Sequence, residues 1–165
     1  MRWLTVVLMM CLMFSVNSCN NDDDDDDDDN KISSYVGTWQ LTDEGGLEKQ
    51  VLVITESTFK MTMKLYFEDQ WVDIMLVEGS YTVDGNMFTL TITRLGMIAD
   101  EETLEMVYFT PDDPEWDLLL GDEFEIEGRF EAKFVVSGNK LTIITDDNDD
   151  GVFDPIEEGE TFTKI

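Results

Sequence analysis

Phe59-Lys60-Met61-Thr62-Met63-Lys64-Leu65-Tyr66-Phe67 is the stretch that decides the fold. Five apolar side chains alternate with Lys60, Thr62, Lys64 and Tyr66. A period of two is the mark of a strand with one face against a core. The pattern continues on both sides. Val51 and Val53 alternate upstream, after Glu48-Lys49-Gln50. Glu68-Asp69-Gln70 reads as a turn, and Val72, Ile74 and Leu76 carry the alternation onward. Tyr81 and Val83 are joined to Phe88, Leu90 and Ile92 through Asp84-Gly85-Asn86. Leu104, Met106 and Tyr108 form another short run. Phe124, Ile126, Gly128, Phe130, Ala132, Phe134 and Val136 alternate over thirteen residues, with Gly128 a bulge or bend. Leu141 and Ile143 follow a Ser137-Gly138-Asn139 turn, and Glu160–Ile165 supplies a last strand. This amounts to about nine strands at hairpin spacing and no long helix.

Two of the hairpins resemble each other. Gly79–Thr93 and Glu131–Thr145 both place Gly-Asn at the turn, where glycine takes positive φ without strain. Repeated hairpins suit an all-β, antiparallel up-and-down β-barrel, with a β-sandwich as the alternative. Residues 95–123 break the alternation. Pro111-Asp112-Asp113-Pro114 is a turn cluster, and Trp116, Leu118, Leu119 and Leu120 follow it. In a barrel this segment either lids one mouth or plugs the core. The methionines (Met61, Met63, Met75, Met87, Met97, Met106) either line an adaptable apolar pocket or simply fill the core.

The first thirty residues have a different character. Arg2 is the only charge before Cys19, and Leu4–Phe14 is almost continuously apolar. Small and polar residues follow. This is the order of a secretory signal, and the run is shorter than the ~20 residues that span a bilayer. Val16-Asn17-Ser18-Cys19 resembles a bacterial lipobox. That resemblance implies a signal peptide over residues 1–18, a lipidated Cys19 and anchoring through acyl chains such as palmitate. Cleavage by an ordinary signal peptidase, leaving Cys19 as a free thiol, is the alternative. Cys11, the other cysteine, lies in the apolar run, so residues 31–165 have none to form a disulfide. Residues 22–29 are eight consecutive aspartates, which repel one another and stay extended. As part of a tether over residues 19–30 they resemble the surface-export signal of lipoproteins in Bacteroidetes-type bacteria. Outer-membrane, cell-surface display is what that resemblance implies.

Residues 31–165 fall within the usual range for one domain. They hold nine basic and thirty acidic residues, a net charge of −21. Such a surface repels phosphate backbones and anionic membranes, so no nucleic-acid partner is expected, and membrane association only through the anchor. The chain has no histidine, no Gly-rich phosphate loop and no G-x-S-x-G. The expectation is a protein that is not an enzyme, with no catalytic residues.

Gly37-Thr38-Trp39, directly after the tether, matches the G-x-W signature on the first strand of lipocalins. The chain from residue 31 onward resembles a lipocalin-like domain. In lipocalins the last strand carries an arginine packed over this tryptophan; here that strand offers Lys164. The resemblance implies a barrel that holds a small apolar ligand, and Trp39, Trp71 and Trp116 are candidate ligand-binding residues. The competing expectation is a surface interaction module or adhesin with a filled core, binding an extracellular protein or glycan.

One loop has recognisable metal chemistry. Asp146-Asp-Asn-Asp-Asp-Gly-Val-Phe-Asp-Pro-Ile-Glu157 fits D-x-[DN]-x-[DN]-G-x5-E over its whole length. Read as a calcium site, Asp146, Asn148, Asp150, Asp154 and Glu157 give side-chain oxygens, Val152 its carbonyl, and Gly151 the sharp turn. A strand precedes the loop, where an EF-hand has a helix. The flanks resemble calcium loops of extracellular bacterial modules. An acidic hairpin loop without metal is the alternative.

Overall fold

The computed structural model describes residues 31–100, 103–120, 129–146, 153 and 159–165. Nine strands run through them: β1 (Gly37–Thr42), β2 (Glu48–Ile54), β3 (Thr58–Phe67), β4 (Gln70–Asp84), β5 (Met87–Asp100), β6 (Glu105–Phe109), β7 (Arg129–Ser137), β8 (Lys140–Ile144) and β9 (Gly159–Lys164). Two five-residue helices accompany them, α1 (Lys31–Tyr35) before β1 and α2 (Trp116–Leu120) between β6 and β7.

All strand pairings are antiparallel, in the order β4-β3-β2-β1-β9-β8-β7-β5, and β4 pairs back onto β5. Eight strands thus close on themselves as a barrel, and the all-β barrel expectation holds. β6 is an extra strand. The fourteen-residue β5 forks: Met87–Thr91 pair with β7, while Leu95–Asp100 pair with β6. Residues 95–100 therefore continue β5, although the sequence pattern ended there. Closure gives each of the eight barrel strands a partner on both sides, which removes the open sheet edge that is prone to aggregate.

The two similar hairpins are real and share a further contact. Gly85 and Gly138 both have φ of 62°, as their turns demand. Beyond each glycine the turn asparagine carbonyl reaches the next strand. Phe134 N donates to Asn86 O at 3.1 Å, and Lys164 N donates to Asn139 O at 2.8 Å. Each turn thereby sets the height of the neighbouring strand.

On β2 the inward face is Gln50, Leu52 and Ile54, not Val51 and Val53. Apolar residues run continuously from Val51 to Ile54, so alternation could not choose the phase there. Cross-strand pairing chooses it, since Leu52 faces both Trp39 and Met61. On β4 a bulge near Ile74 changes the phase, so that Met75, Val77, Gly79 and Tyr81 line the interior. The proposed bulge at Gly128, like Phe124 and Ile126, lies outside the described residues.

The two ends of the barrel differ. One end carries tight connections, at 55–57, 85–86 and 138–139, and is capped by α1. Tyr35 there is buried, its hydroxyl donating to Phe134 O at 3.4 Å. Tyr35 also packs edge-on against Phe88, which stacks on Phe134 at 4.0 Å between ring centres. The strand directions bring the longer connections, 43–47, 101–104 and 145–158, to the opposite end.

Candidate functional site

The inner wall near the loop-bearing end is built by strand register. Leu41, Gln50, Met63, Met75 and Met97 lie side by side on β1 to β5, each opposite the next. One step deeper come Trp39, Leu52, Met61, Val77 and Leu95, and deeper still Gly37, Ile54, Phe59 and Gly79. Apart from Met61 and two glycines, the deeper rows are aromatic and branched side chains. The row at the mouth is mostly methionine, which repacks readily around a guest. Met75 and Met97 are half-buried and Met63 is buried, so three methionines line one side of this end, on β3, β4 and β5.

Trp39 is fully buried. Its Nε1–H donates to Tyr35 O at 2.8 Å, tying the first strand to the cap. Lys164 Nζ lies 5.0 Å from the centre of the Trp39 ring and donates to Val36 O at 3.3 Å. Lys164, the cation of the last strand, thus packs over the Trp39 ring. Gly37 makes room for it. A Cβ at Gly37 would sit 2.8 Å from Lys164 Cε, and the φ of 149° is one that side chains rarely adopt. The G-x-W motif therefore has a local cause: glycine clears the lysine's path to the indole.

Trp116 is also buried in the core cluster, and Leu119 packs beside it, half-buried. Asp113 sets up this segment. Its carboxylate accepts from Thr110 N at 2.6 Å and Thr110 Oγ1 at 3.0 Å, while its carbonyl accepts from Trp116 N at 3.0 Å. The Pro-Asp-Asp-Pro turn so aims the indole inward, and Trp116 with Leu119 packs onto the core while Leu118 faces solvent. Among the described residues the Trp116 Nε1–H has no hydrogen-bond partner. Gln50, a large polar side chain on the inner wall, is 7% exposed.

Trp71 lies elsewhere. It sits on the outer face, beside Tyr66 at 5.3 Å, with Lys49 Nζ 4.0 Å above its ring. Leu47, Leu65 and Phe67, near the β3–β4 hairpin, are exposed as well, though Leu65 and Phe67 alternate with Tyr66 along β3 and point to its other face. Glu68 and Asp69 both take positive φ at the hairpin's tip, a strained arrangement for residues with side chains.

A scan against protein-family models, and searches of curated proteins and of solved structures, find no match for this chain. No family is shown. The chemistry has to be argued from the residues.

Of the calcium loop, Asp146 is described and half-buried, while Asn148, Asp150, Val152, Asp154 and Glu157 lie outside the described residues. Cys19 and the acidic tether lie outside them as well. Among the described residues no three acidic, His or Cys side chains gather around one point. β8 and β9 place the two ends of the acidic segment at the loop-bearing end. An open cleft of about 300 Å³ lies between Thr82, Thr89, Arg129, Phe130 and Glu131. Its lining is mostly polar and outward-facing, unlike the methionine row.

The rim carries one perturbed carboxyl. Glu48 sits two residues beyond Gln50 on the same strand, and burial, reinforced by the Asp43 carboxylate, raises its pKa above the ordinary glutamate value. Asp43 is held close because its Oδ1 accepts from Glu48 N at 2.9 Å. A raised carboxyl pKa means the folded state holds its proton more tightly than the unfolded state. The charged form therefore costs stability above the folded pKa, and that cost disappears as pH falls below the unfolded value. Glu48→Gln should raise the melting temperature at neutral pH, and the gain should vanish below about pH 4. Thermal melts of both proteins across pH 3–8 check this.

Proposed function

We propose that this chain is a surface-anchored bacterial lipoprotein whose lipocalin-like barrel binds a small apolar ligand without catalysis. The observation that carries the reading is the asymmetry of the interior. The capped half is packed around Phe88, Phe134, Trp39 and Phe162, while at the loop-bearing end Met63, Met75 and Met97 stand side by side on β3, β4 and β5. Barrel mouths of this construction are where small ligands are held. The packed half limits the guest to the mouth half. The tether joins the chain at α1, on the capped end, so the mouth points away from the anchor. Nile red, a neutral apolar dye, tests the reading. Saturable emission enhancement at one dye per chain, competed by unlabelled apolar molecules, is the expected result. Absence of any saturable signal would remove the ligand-binding assignment.

A structural calcium ion in the loop from Asp146 to Glu157 belongs to the same reading. Asp146, Asn148, Asp150, Asp154 and Glu157, with the Val152 carbonyl, are oxygen donors of the kind a hard divalent cation takes. Bound there, calcium would offset the repulsion among these carboxylates and brace β8 against β9. Asp150→Ala should lower the melting temperature in millimolar calcium and have little effect in chelator. Equal losses under both conditions would rule the site out.

A second reading, a surface interaction module for an extracellular protein or glycan, is favoured by one feature. The exposed Tyr66 and the half-buried Trp71 pack together on the outer face beside Lys49, the kind of aromatic surface that marks recognition sites.

A further inference from the structure

We infer that the loop-bearing end docks a basic amphipathic segment of another polypeptide, its apolar face laid on the inner side of β3 to β6 and its lysines or arginines meeting the rim. The surface lies at and above the methionine row, and its use does not depend on the small ligand. Strand register makes its apolar side one continuous band. Leu65 stands opposite Val72 across β3 and β4, and one step deeper Met63, Met75, Met97 and Val107 follow one another from β3 to β6. Phe67 lies beyond Leu65 on the same side of β3. Phe67 is 56% exposed, and Leu65 and Val107 are each 38% exposed. The band runs from the interior into solvent where β5 leaves β7 for β6. Contiguous apolar surface left in water is the mark of a face that takes a partner.

The rim decides which partner. Strand directions bring four stretches to this end, 43–48, 68–69, 100–105 and 145–160. They hold 17 of the 30 acidic residues found between 31 and 165, and no lysine or arginine. The crowding is felt locally, since burial and then the Asp43 carboxylate hold the Glu48 pKa above its ordinary value. A second copy of this domain, also at −21, would be repelled. Phosphate-bearing partners are repelled likewise. A single small cation would meet one stretch of the rim and leave the rest, since the band alone spans three strand spacings, about 14 Å. A polypeptide with several cations flanking an apolar face answers the whole rim and covers the band, the way amphipathic helices seat in grooves. The methionines adapt to whatever apolar side chains it brings.

A synthetic leucine-lysine helix with one apolar face tests this, its binding to the protein read by fluorescence anisotropy. Its controls are a scramble of the same composition without that face, a twin with glutamate for lysine, and the small amphiphile dodecyltrimethylammonium. The expected result is saturable binding of the helix, about tenfold tighter than the scramble, and no binding of the glutamate twin. The methyl resonances of Met75 and Met97 should shift in the complex. Phe67→Ser should weaken binding about tenfold, the scale of one buried aromatic side chain. Phe67 is exposed, so this change leaves the core untouched. Glu68→Lys combined with Asp69→Lys should weaken it about threefold and flatten its salt dependence. Equal binding by the scramble would reduce the rim to charge attraction and overturn the docking face, as would an unchanged affinity in Phe67→Ser. Equal binding by the glutamate twin would overturn the choice of a basic partner. Competition by dodecyltrimethylammonium at the helix's own affinity would overturn the polypeptide in favour of a small cationic amphiphile. Nile red separates this inference from the small-ligand reading. Dye bound with no helix bound overturns the docking face alone, and helix bound with no dye overturns the small ligand alone.

Discussion

Gly79→Ala should cost the barrel about 3 kcal/mol, the upper range for overfilling a packed core. A Cβ at Gly79 would lie 2.2 Å from the carbonyl oxygen of Thr91 and within 2.8 Å of the Phe59 ring. The ring could turn aside; the carbonyl is backbone on the neighbouring β5. It can move only if β4 and β5 separate where a bulge already offsets their register, between Glu78 and Gly79. For a domain of this size the loss amounts to roughly 10 °C of melting temperature. Thermal denaturation beside Gly85→Ala checks the assignment. Gly85 has nothing within 4 Å of its missing Cβ, so only the strain of its φ of 62° opposes substitution there. The Gly79 variant should fall well below the Gly85 variant. Phe59→Leu in the Gly79→Ala background should recover part of the loss, because it removes one of the two obstacles.

Trp39→Ala should be the more damaging change, about 3–5 kcal/mol, as for other large aromatic truncations in cores. Three effects combine. The cavity would open at a site that is fully buried. The Tyr35 carbonyl would lose its indole donor, loosening the cap. Lys164 would lose the ring beneath its ammonium. Trp39→Phe separates these effects, since it keeps most of the apolar volume and removes only the N–H. It should retain the fold and lose about 1 kcal/mol, the net worth of an ordinary hydrogen bond. Chemical denaturation with both variants gives the two numbers.

The strand pattern was legible where apolar and polar residues truly alternate. Phe59–Phe67, the Gly-Asn hairpins and the final strand all appear where the sequence puts them. It failed where the chain is apolar on both faces. Val51–Ile54 has no polar residue to set the phase, and Leu95–Ile98 looked like the start of a break. There β5 outlasts β7 and takes β6 as its new neighbour, a decision made by pairing rather than by side-chain alternation. The plug was half legible: the turn at Pro111–Pro114 and the apolar residues after it were evident, but not that Trp116 would enter the core without a partner for its N–H. Gln50 was passed over because a glutamine in a strand is ordinarily solvent-facing. Its inward position follows only from its place between Leu41 and Met63 in register. The place of Lys164 over Trp39 has its local explanation in Gly37. The calcium loop, by contrast, is a spacing argument still carried by the sequence alone.

The closure of the barrel has a consequence for how it breathes. β1 and β9 meet in register only at Trp39–Lys164 and Gln40–Thr163, while β1 and β2 share six pairs and β8 and β9 five. The circumference therefore has one short seam, joining the first strand to the last. In native-state hydrogen exchange, the Ile165 amide, which bridges that seam by donating to Thr38 O, should open through a partial unfolding of lower free energy than the β3–β4–β5 wall. The protein should then open as a rolled sheet unfurls along its shortest stitch, with the long hairpins still paired.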